Sequence, residues 1–167
     1  MTLERLWAGW RAEYINGVTA SKPDECLFCA LERMDDAEAL VVARGTHAFV
    51  VLNAFPYTSG HVMVAPRRHE AHLDGLAVDE AAEVMALTQR ATTALKAAYQ
   101  PDGLNVGANL GRSAGAGITG HVHMHALARW DGDTNFMTTV AEARVIPEDL
   151  RVTWEKLRGA WPGGDSR

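Results

Sequence analysis

The sequence has few cysteines and no excess of basic residues. Its 167 residues include 2 cysteines, Cys26 and Cys29, a number too small for a network of stabilising disulfides. The 16 basic and 21 acidic residues give a formal net charge of −5. A long nucleic acid is therefore an unsuitable partner, because polyanion binding needs a basic track on the protein. A small phosphorylated ligand remains compatible with this charge, because backbone N–H groups and a few histidines can hold it.

Long apolar runs are also missing from the sequence. No stretch approaches the length of a membrane span, and residues 1–10 contain no apolar run typical of a secretion signal. We therefore expect a soluble, cytoplasmic protein that has no membrane partner. With 47% hydrophobic residues, the chain can bury one substantial core.

The order of the hydrophobic patterns predicts an α+β fold with an antiparallel sheet. The β-like runs lie at residues 39–43, 47–53, 61–66, 103–110 and 121–128. Small and apolar residues at three- and four-residue steps predict one long helix from Asp79 to Tyr99, and a shorter helix is expected at 148–158. We expect an N-terminal arm at 1–38, a main domain at 39–160 that contains His121, His123 and His125, and a flexible tail at 161–167.

Three histidines, His121, His123 and His125, alternate with apolar residues. On a strand the three imidazoles would share one face, while the intervening side chains enter the core. They could be three solvated histidines on a half-exposed strand. One metal held by all three is strained, because the Cα atoms of His121 and His125 lie about 13 Å apart on an extended strand. The remaining interpretation is attack of a neutral imidazole on phosphorus.

The motif His-Val-His-Met-His-Ala-Leu at 121–127 resembles the signature of the histidine-triad (HIT) family. Further blocks resemble the family in the same order: Leu-Asn-Ala-Phe-Pro-Tyr at 52–57, Gly-His-Val-Met-Val-Ala-Pro at 60–66 and Gly-Leu-Asn-Val-Gly at 103–107. Arg129-Trp130 followed by residues 132–136 is similar to a bacterial branch related to dinucleoside polyphosphate hydrolases and diadenosine tetraphosphate phosphorylases.

The resemblance implies a nucleotide hydrolase or nucleotidyl transferase that cleaves at the α-phosphate of a nucleoside polyphosphate, dinucleoside polyphosphate or nucleotide conjugate. His123 would form a covalent nucleotidyl-histidine, and His125 would contact the phosphate or the bridging oxygen, with His121 completing the catalytic triad. The implied substrate-binding residues are Asn53 at the ribose and Asn105 and Ser113 at the phosphate and leaving group.

The nucleophile also needs a defined tautomer. Nε2 of His123 can attack only if Nδ1 carries the proton, and a main-chain carbonyl beside the triad would suffice to accept the Nδ1–H hydrogen bond.

The molecule that accepts the nucleotidyl group decides the type of enzyme. Water would make the protein a hydrolase, whereas inorganic phosphate would make it a diadenosine tetraphosphate phosphorylase. A non-catalytic nucleotide-binding sensor is a third alternative, which the intact middle histidine disfavours.

A glycine-rich connection precedes the triad. Glycine occupies four positions between 111 and 120, so the backbone can approach a phosphate closely and direct N–H groups at it. We include Gly115 among the expected substrate-binding residues. The alternative is a flexible loop between strands, because glycine clusters alone are weak signals.

The spacing of Cys26 and Cys29 is typical of a zinc knuckle or a redox pair, and two reduced buried thiols are the plainer alternative. Tetrahedral zinc needs two further ligands, which must be histidine or carboxylate because no other cysteine exists. The resemblance implies His69 and His121 as those ligands of a structural zinc. His61 and His72 compete for the third position.

The resemblance further implies a homodimer in which the sheet continues across a two-fold axis. The long helix carries small residues that permit a partner element to approach closely, namely Ala91, Ala94, Ala97 and Ala98. The same residues suit ordinary packing on the helix's own sheet equally well. Because open sheet edges tend to be paired or covered, a strand flanking the triad could pair with the second subunit.

Overall fold

A single antiparallel sheet organises the computed structural model, which describes residues 25–133 and 148–163. The strands are β1 (Val41–Arg44), β2 (Ala48–Leu52), β3 (Val62–Pro66), β4 (Gly103–Gly107) and β5 (Met124–Arg129), in the order β1-β2-β3-β5-β4. The helices are α1 (Leu27–Arg33), α2 (Asp36–Ala39), α3 (Val78–Tyr99) and α4 (Leu150–Gly159), with 3-10 turns at Leu73–Gly75 and Arg112–Ala114. The predicted α+β class, with one long helix and a shorter C-terminal helix, is confirmed.

The sheet separates two hydrophobic cores, because successive side chains of a strand point to opposite faces. On one face α3 and α4 cover the sheet, and Leu87 and Leu95 of α3 share a buried cluster with Val50, Val64 and Ala126. Three of the four alanines named for the long helix serve this internal packing, whereas Ala97 is exposed. Ala91 and Ala94 are buried in the first core and Ala98 packs against it.

The second core lies on the opposite face of the sheet, beneath α1. Phe28 and Leu31 of α1 are buried with Phe49, Val51 and Met63 of the sheet. The side chain of His125 lies on the same face as that of Met63, because these two residues are directly paired in the ladder between β3 and β5. The triad is therefore on the face that α1 covers.

The first strand begins later than the sequence pattern predicts. Residues 39–43 were expected to be extended, but the Asp35 side chain accepts the N–H of Ala37 at 2.9 Å and caps the short helix α2. Leu40 then adopts a left-handed backbone with φ 55°, so β1 starts at Val41.

The predicted start of the triad strand at His121 is wrong. Strand β5 begins at Met124, because its partner β3 ends at Pro66, which has no backbone N–H to donate. The Nε2–H of the His121 ring donates instead to the Pro66 carbonyl, at 2.8 Å. His121 and His123 therefore lie in the segment that leads into β5, and only His125 is within the strand.

The predicted tail boundary at residue 161 also needs correction. Trp161 is buried in the first core, so the packed region extends past residue 160. Of the expected N-terminal arm, residues 25–38 pack into the domain, whereas residues 1–24 lie outside the described part. The same holds for 134–147, which include part of the 132–136 block, and for 164–167. None of the described helices is both long and apolar enough to cross a membrane.

The start of α3 depends on a charged pair, and this generates a stability prediction. Glu80 accepts the N–H of Ala77 at 2.8 Å and two N–H groups of Arg68, which hold the pKa of the Glu80 carboxyl down, at about 2. Its ordinary value is 4.5, so the folded state prefers the ionised form, and the stabilisation is lost as the pH falls from about 4.5 to about 2.

We expect Glu80→Gln to lower the Tm at pH 7, and we expect this loss of Tm to become smaller as the pH falls from about 4.5 to about 2. Thermal unfolding at several pH values measures this, with the exposed Glu155→Gln as control, and an effect independent of pH would contradict it.

Candidate active site

His123 is held in the tautomer that nucleophilic attack requires. Its ring is buried, with 6% of the residue exposed, and Nδ1–H donates to the main-chain carbonyl of His121 at 2.8 Å. Because the proton is on Nδ1, the lone pair of the neutral ring is on Nε2. The acceptor is the type of group that the sequence analysis expects, a carbonyl beside the triad.

His125 is oriented by a fourth histidine, His61. Nδ1 of His61 accepts the backbone N–H of Tyr57 at 3.1 Å and lies 3.3 Å from Nδ2 of Asn53, so the proton of a neutral His61 is on Nε2. That Nε2–H donates to Nδ1 of His125 at 2.9 Å. The proton of a neutral His125 is therefore on Nε2, which can donate to an oxygen of a substrate. His61 thus lies at the triad and is not a candidate metal ligand.

Burial keeps the nucleophile and its neighbour uncharged. Burial lowers the pKa of His123 below its usual 6.5, and burial together with the nearby His123 lowers the pKa of His125 to about 4. Both imidazoles are neutral at pH 7 as a result. A neutral His123 has the free lone pair that attack on phosphorus needs.

A second cluster contains Cys26, Cys29, His69 and His121, whose possible ligand atoms all lie within 4.8 Å of one another. Nδ1 of His121 is 3.3 Å from Sγ of Cys26 and 3.8 Å from Sγ of Cys29, and Nδ1 of His69 is 3.4 Å from Sγ of Cys29. Both cysteines are free thiols. The structure thus brings together the four residues that the sequence analysis names as metal ligands, and His72 is not among them.

The donor set fits a tetrahedral zinc ion. Zinc–sulfur and zinc–nitrogen bonds of the usual lengths place sulfur and nitrogen ligands about 3.5 Å apart, close to the separations in this cluster. The His121 proton is on Nε2, bonded to Pro66, so its Nδ1 lone pair is available to a cation. Burial and the neighbouring Cys26 raise the pKa of the Cys29 thiol to about 11, so metal binding would have to displace its proton.

The four expected substrate-binding residues occupy different parts of the site. Asn53 lies at the end of β2, where its Oδ1 accepts the N–H of Phe55 at 2.9 Å and its Nδ2 lies near His61. Asn105 lies on β4 two residues before Gly107, and Gly107 pairs with His125 in the sheet. Ser113 and Gly115 are exposed in the turn at 112–115, and no hydrogen bond joins them to the triad among the described residues.

The glycine-rich connection forms a compact turn. Gly111 and Gly115 have φ of 83° and 91°, a conformation that side chains with a Cβ rarely adopt. The N–H groups of Ala114 and Ala116 both donate to the Gly111 carbonyl, at 3.2 Å. The backbone geometry thus explains the glycines at 111 and 115. The connection is a hydrogen-bonded turn and not a loose linker.

The structure also shows positioning residues that the sequence analysis did not identify. The carboxylate of Asp133 binds Nε and Nη2 of Arg129 at 2.6 and 2.7 Å, and Nη1 of Arg129 donates to Oδ1 of Asn105 at 2.6 Å. Asn105 is therefore held with its amide nitrogen as the available donor. In the sequence Arg129 belongs only to a motif, and no spacing rule links it to a residue 24 positions away.

Comparison with known proteins agrees with this geometry. The family model described as the HIT domain matches residues 35–132. The chain belongs to the HIT family. A Mycobacterium tuberculosis protein named AP-4-A phosphorylase is 41% identical to this HIT protein over 165 residues, which cover 95% of this chain and 85% of the relative.

Solved HIT proteins share the fold. A Zn-bound histidine triad family protein from Mycobacterium smegmatis matches with a TM-score of 0.67 and 28% identity, covering 81% of this chain and 92% of that one. A hypothetical histidine triad nucleotide-binding protein from Sulfolobus tokodaii matches with a TM-score of 0.66 and 25% identity, covering 81% and 91%. The fold expected from the sequence is therefore the observed one.

The hydrogen bonds of this HIT site predict the proton positions on its rings. In ¹⁵N-edited NMR spectra at pH 7, we expect His123 as the Nδ1–H tautomer and His125 as the Nε2–H tautomer. Because burial lowers the pKa of His125 to about 4, that ring should still be neutral at pH 6. A protonated Nε2 on His123 at pH 7, or a cationic His125 ring at pH 6, would contradict the assignment.

Proposed function

We propose that this HIT protein is a nucleotidyl transferase that cleaves dinucleoside polyphosphates at the α-phosphate through a covalent intermediate on His123. The observation that carries the proposal is the Nδ1–H bond of His123 to the His121 carbonyl, which leaves Nε2 as the only ring nitrogen able to attack. The burial of the ring supports the same role, because burial disfavours the charged form and a neutral imidazole is the competent nucleophile.

In the first step, Nε2 of His123 attacks the α-phosphorus, and the bond from that phosphorus to the bridging oxygen breaks. The departing oxygen carries negative charge, and Nε2–H of His125 donates a hydrogen bond or its proton to it. His61 keeps Nδ1 of His125 in the acceptor state, so that the proton is available on the other nitrogen. The products are a nucleotidyl-histidine and the remaining nucleoside polyphosphate.

In the second step an acceptor oxygen attacks the same phosphorus, the phosphorus–nitrogen bond breaks, and His123 is restored. We favour inorganic phosphate as the acceptor because the relative at 41% identity is named AP-4-A phosphorylase. With diadenosine tetraphosphate, transfer to phosphate would yield ADP and ATP, whereas transfer to water would yield AMP and ATP. Water is the alternative acceptor, and it would make the protein a hydrolase.

The acceptor can be identified from product masses. We expect diadenosine tetraphosphate to give ADP and ATP in the presence of phosphate, with ¹⁸O from labelled phosphate incorporated into ADP. Omission of phosphate should slow turnover strongly. Formation of AMP at the same rate with and without phosphate would establish hydrolysis instead.

Removal of the nucleophile tests the covalent route. We expect His123→Asn to reduce turnover by about 10³-fold or more while nucleotide binding persists, because the side chain stays polar but cannot attack. The matched control is His47→Asn at a half-exposed position beside Asp79, which should retain full activity. Comparable turnover in the two variants would rule out His123 as the nucleophile.

We also propose that Cys26, Cys29, His69 and His121 bind one structural zinc per chain. The proposal rests on the four convergent donors and on the tetrahedral fit of their separations. The Zn-bound state of the Mycobacterium smegmatis HIT protein supports it. Such an ion would join α1 to the segment that carries His123, through Cys26 on one side and His121 on the other.

Metal analysis of matched variants tests the zinc site. We expect about one zinc per chain in the native protein and in His72→Ala, and a loss of zinc in His69→Ala, because of these two histidines only His69 lies beside a cysteine, Cys29. Cys26→Ser should lower the Tm clearly, whereas the molecules that remain folded should keep most of their activity. An active protein without metal, containing a Cys26–Cys29 disulfide, would exclude the site.

We further propose that the protein is a homodimer associated through β4. This strand is at the edge of the sheet beside β5, and its Val106 is 47% exposed. An exposed edge strand offers unpaired backbone groups to a second copy. Sedimentation across a dilution series, run with an activity assay, should show a dimer whose dissociation lowers activity. Full activity of a monomer at every concentration would remove the dimer from the proposal.

A further inference from the structure

We infer that Phe28 is a positioning residue for the nucleophile, and that α1 thereby supports the catalytic ring as well as the cysteine cluster. Phe28 lies between Cys26 and Cys29 in the sequence and is fully buried. Its ring centroid is 4.7 Å from that of His123, at an interplanar angle of 38°, and 5.1 Å from that of His121. The inference rests on the proposed role of His123.

The hydrogen bond of His123 does not by itself fix the direction of Nε2. A single N–H···O bond tolerates a range of angles, and the second side-chain torsion of histidine has a broad energy profile, so the ring can still turn about its Cβ–Cγ bond while the hydrogen bond is kept. A tilt moves Nε2 away from the line of attack on phosphorus. Contacts on the ring itself are therefore needed to hold the reactive atom in place.

Two ring contacts provide this restraint. The Phe28 ring packs on the His123 ring at a tilt of 38°, and the His125 ring lies at 72° to the His123 ring with a centroid separation of 4.8 Å. Phe28 is rigid because the second core surrounds it, with Leu31 from the same helix buried alongside. A flat, immobile ring limits the tilt of the imidazole in a way that a flexible aliphatic side chain cannot.

An ordinary core role would be the simpler explanation, and the chain offers a matched control. Phe49 is also fully buried in the second core, and its ring is 6.4 Å from that of Phe28. The Phe49 ring contacts Phe28 and lies near the Arg44 guanidinium, one ring further from the triad. Equivalent substitutions at the two positions remove the same atoms from the same core.

The experiment compares Phe28→Leu and Phe28→Met with Phe49→Leu and Phe49→Met. We expect all four to lower the Tm, but only the Phe28 variants to slow formation of the nucleotidyl-His123 adduct in a single turnover, by about 10- to 100-fold. Nucleotide affinity should be unchanged, because the lost contact is with the protein's own ring. If a Leu variant fails to fold, the Met pair, whose longer and more flexible side chain can fill an irregular gap in the core, decides the comparison.

A second readout does not depend on turnover. The Nδ1–H signal of His123 in ¹⁵N-edited NMR should remain sharp in the Phe49 variants and broaden or exchange with water in the Phe28 variants. Equal adduct rates and equal signals at the two positions would overturn the inference. Absence of an adduct in the native protein would contradict the proposed function instead, and the NMR comparison would still decide the role of Phe28.

Discussion

The hydrogen bond from Nδ1–H of His123 to the His121 carbonyl is the interaction on which the chemistry depends. It determines which nitrogen of His123 holds the lone pair, and it ties the nucleophile to a residue that is itself fixed. The His121 ring is anchored by the Pro66 carbonyl through Nε2 and faces the cysteines through Nδ1. The cysteine cluster and the nucleophile are therefore connected through one residue, His121.

One face of the sheet packs against the larger hydrophobic core, and the opposite face carries the histidines of the active site. The long helix closes one face with aliphatic side chains, and this packing does not involve the histidines. On the other face α1 covers a row of imidazoles that are buried and close together. Such a row is stable only if its members are neutral, because adjacent cations in a poorly solvated site would repel strongly. The lowered pKa values of His123 and His125 are thus a requirement of the packing as well as of the mechanism.

The sequence predicts the parts of this structure that follow from local periodicity and motif spacing. These include the α+β class, the long helix, the face shared by the triad, and the set of four cysteine and histidine residues. It could not predict that β5 starts at Met124, because that depends on Pro66 of a neighbouring strand. The partnership of His61 with His125 was missed for the same reason, since 64 positions separate the two rings in the chain. The packing of Phe28 on His123 likewise arises only when α1 folds onto the sheet.

The stereochemical course at the α-phosphorus tests the covalent mechanism most directly. Each in-line displacement inverts the configuration at phosphorus, so transfer through His123 requires two inversions. A dinucleoside polyphosphate carrying a chiral α-phosphorothioate, cleaved in the presence of isotopically labelled phosphate, should therefore give product with net retention. Net inversion would show that the acceptor attacks the substrate directly, and would contradict the role of His123 as a covalent nucleophile.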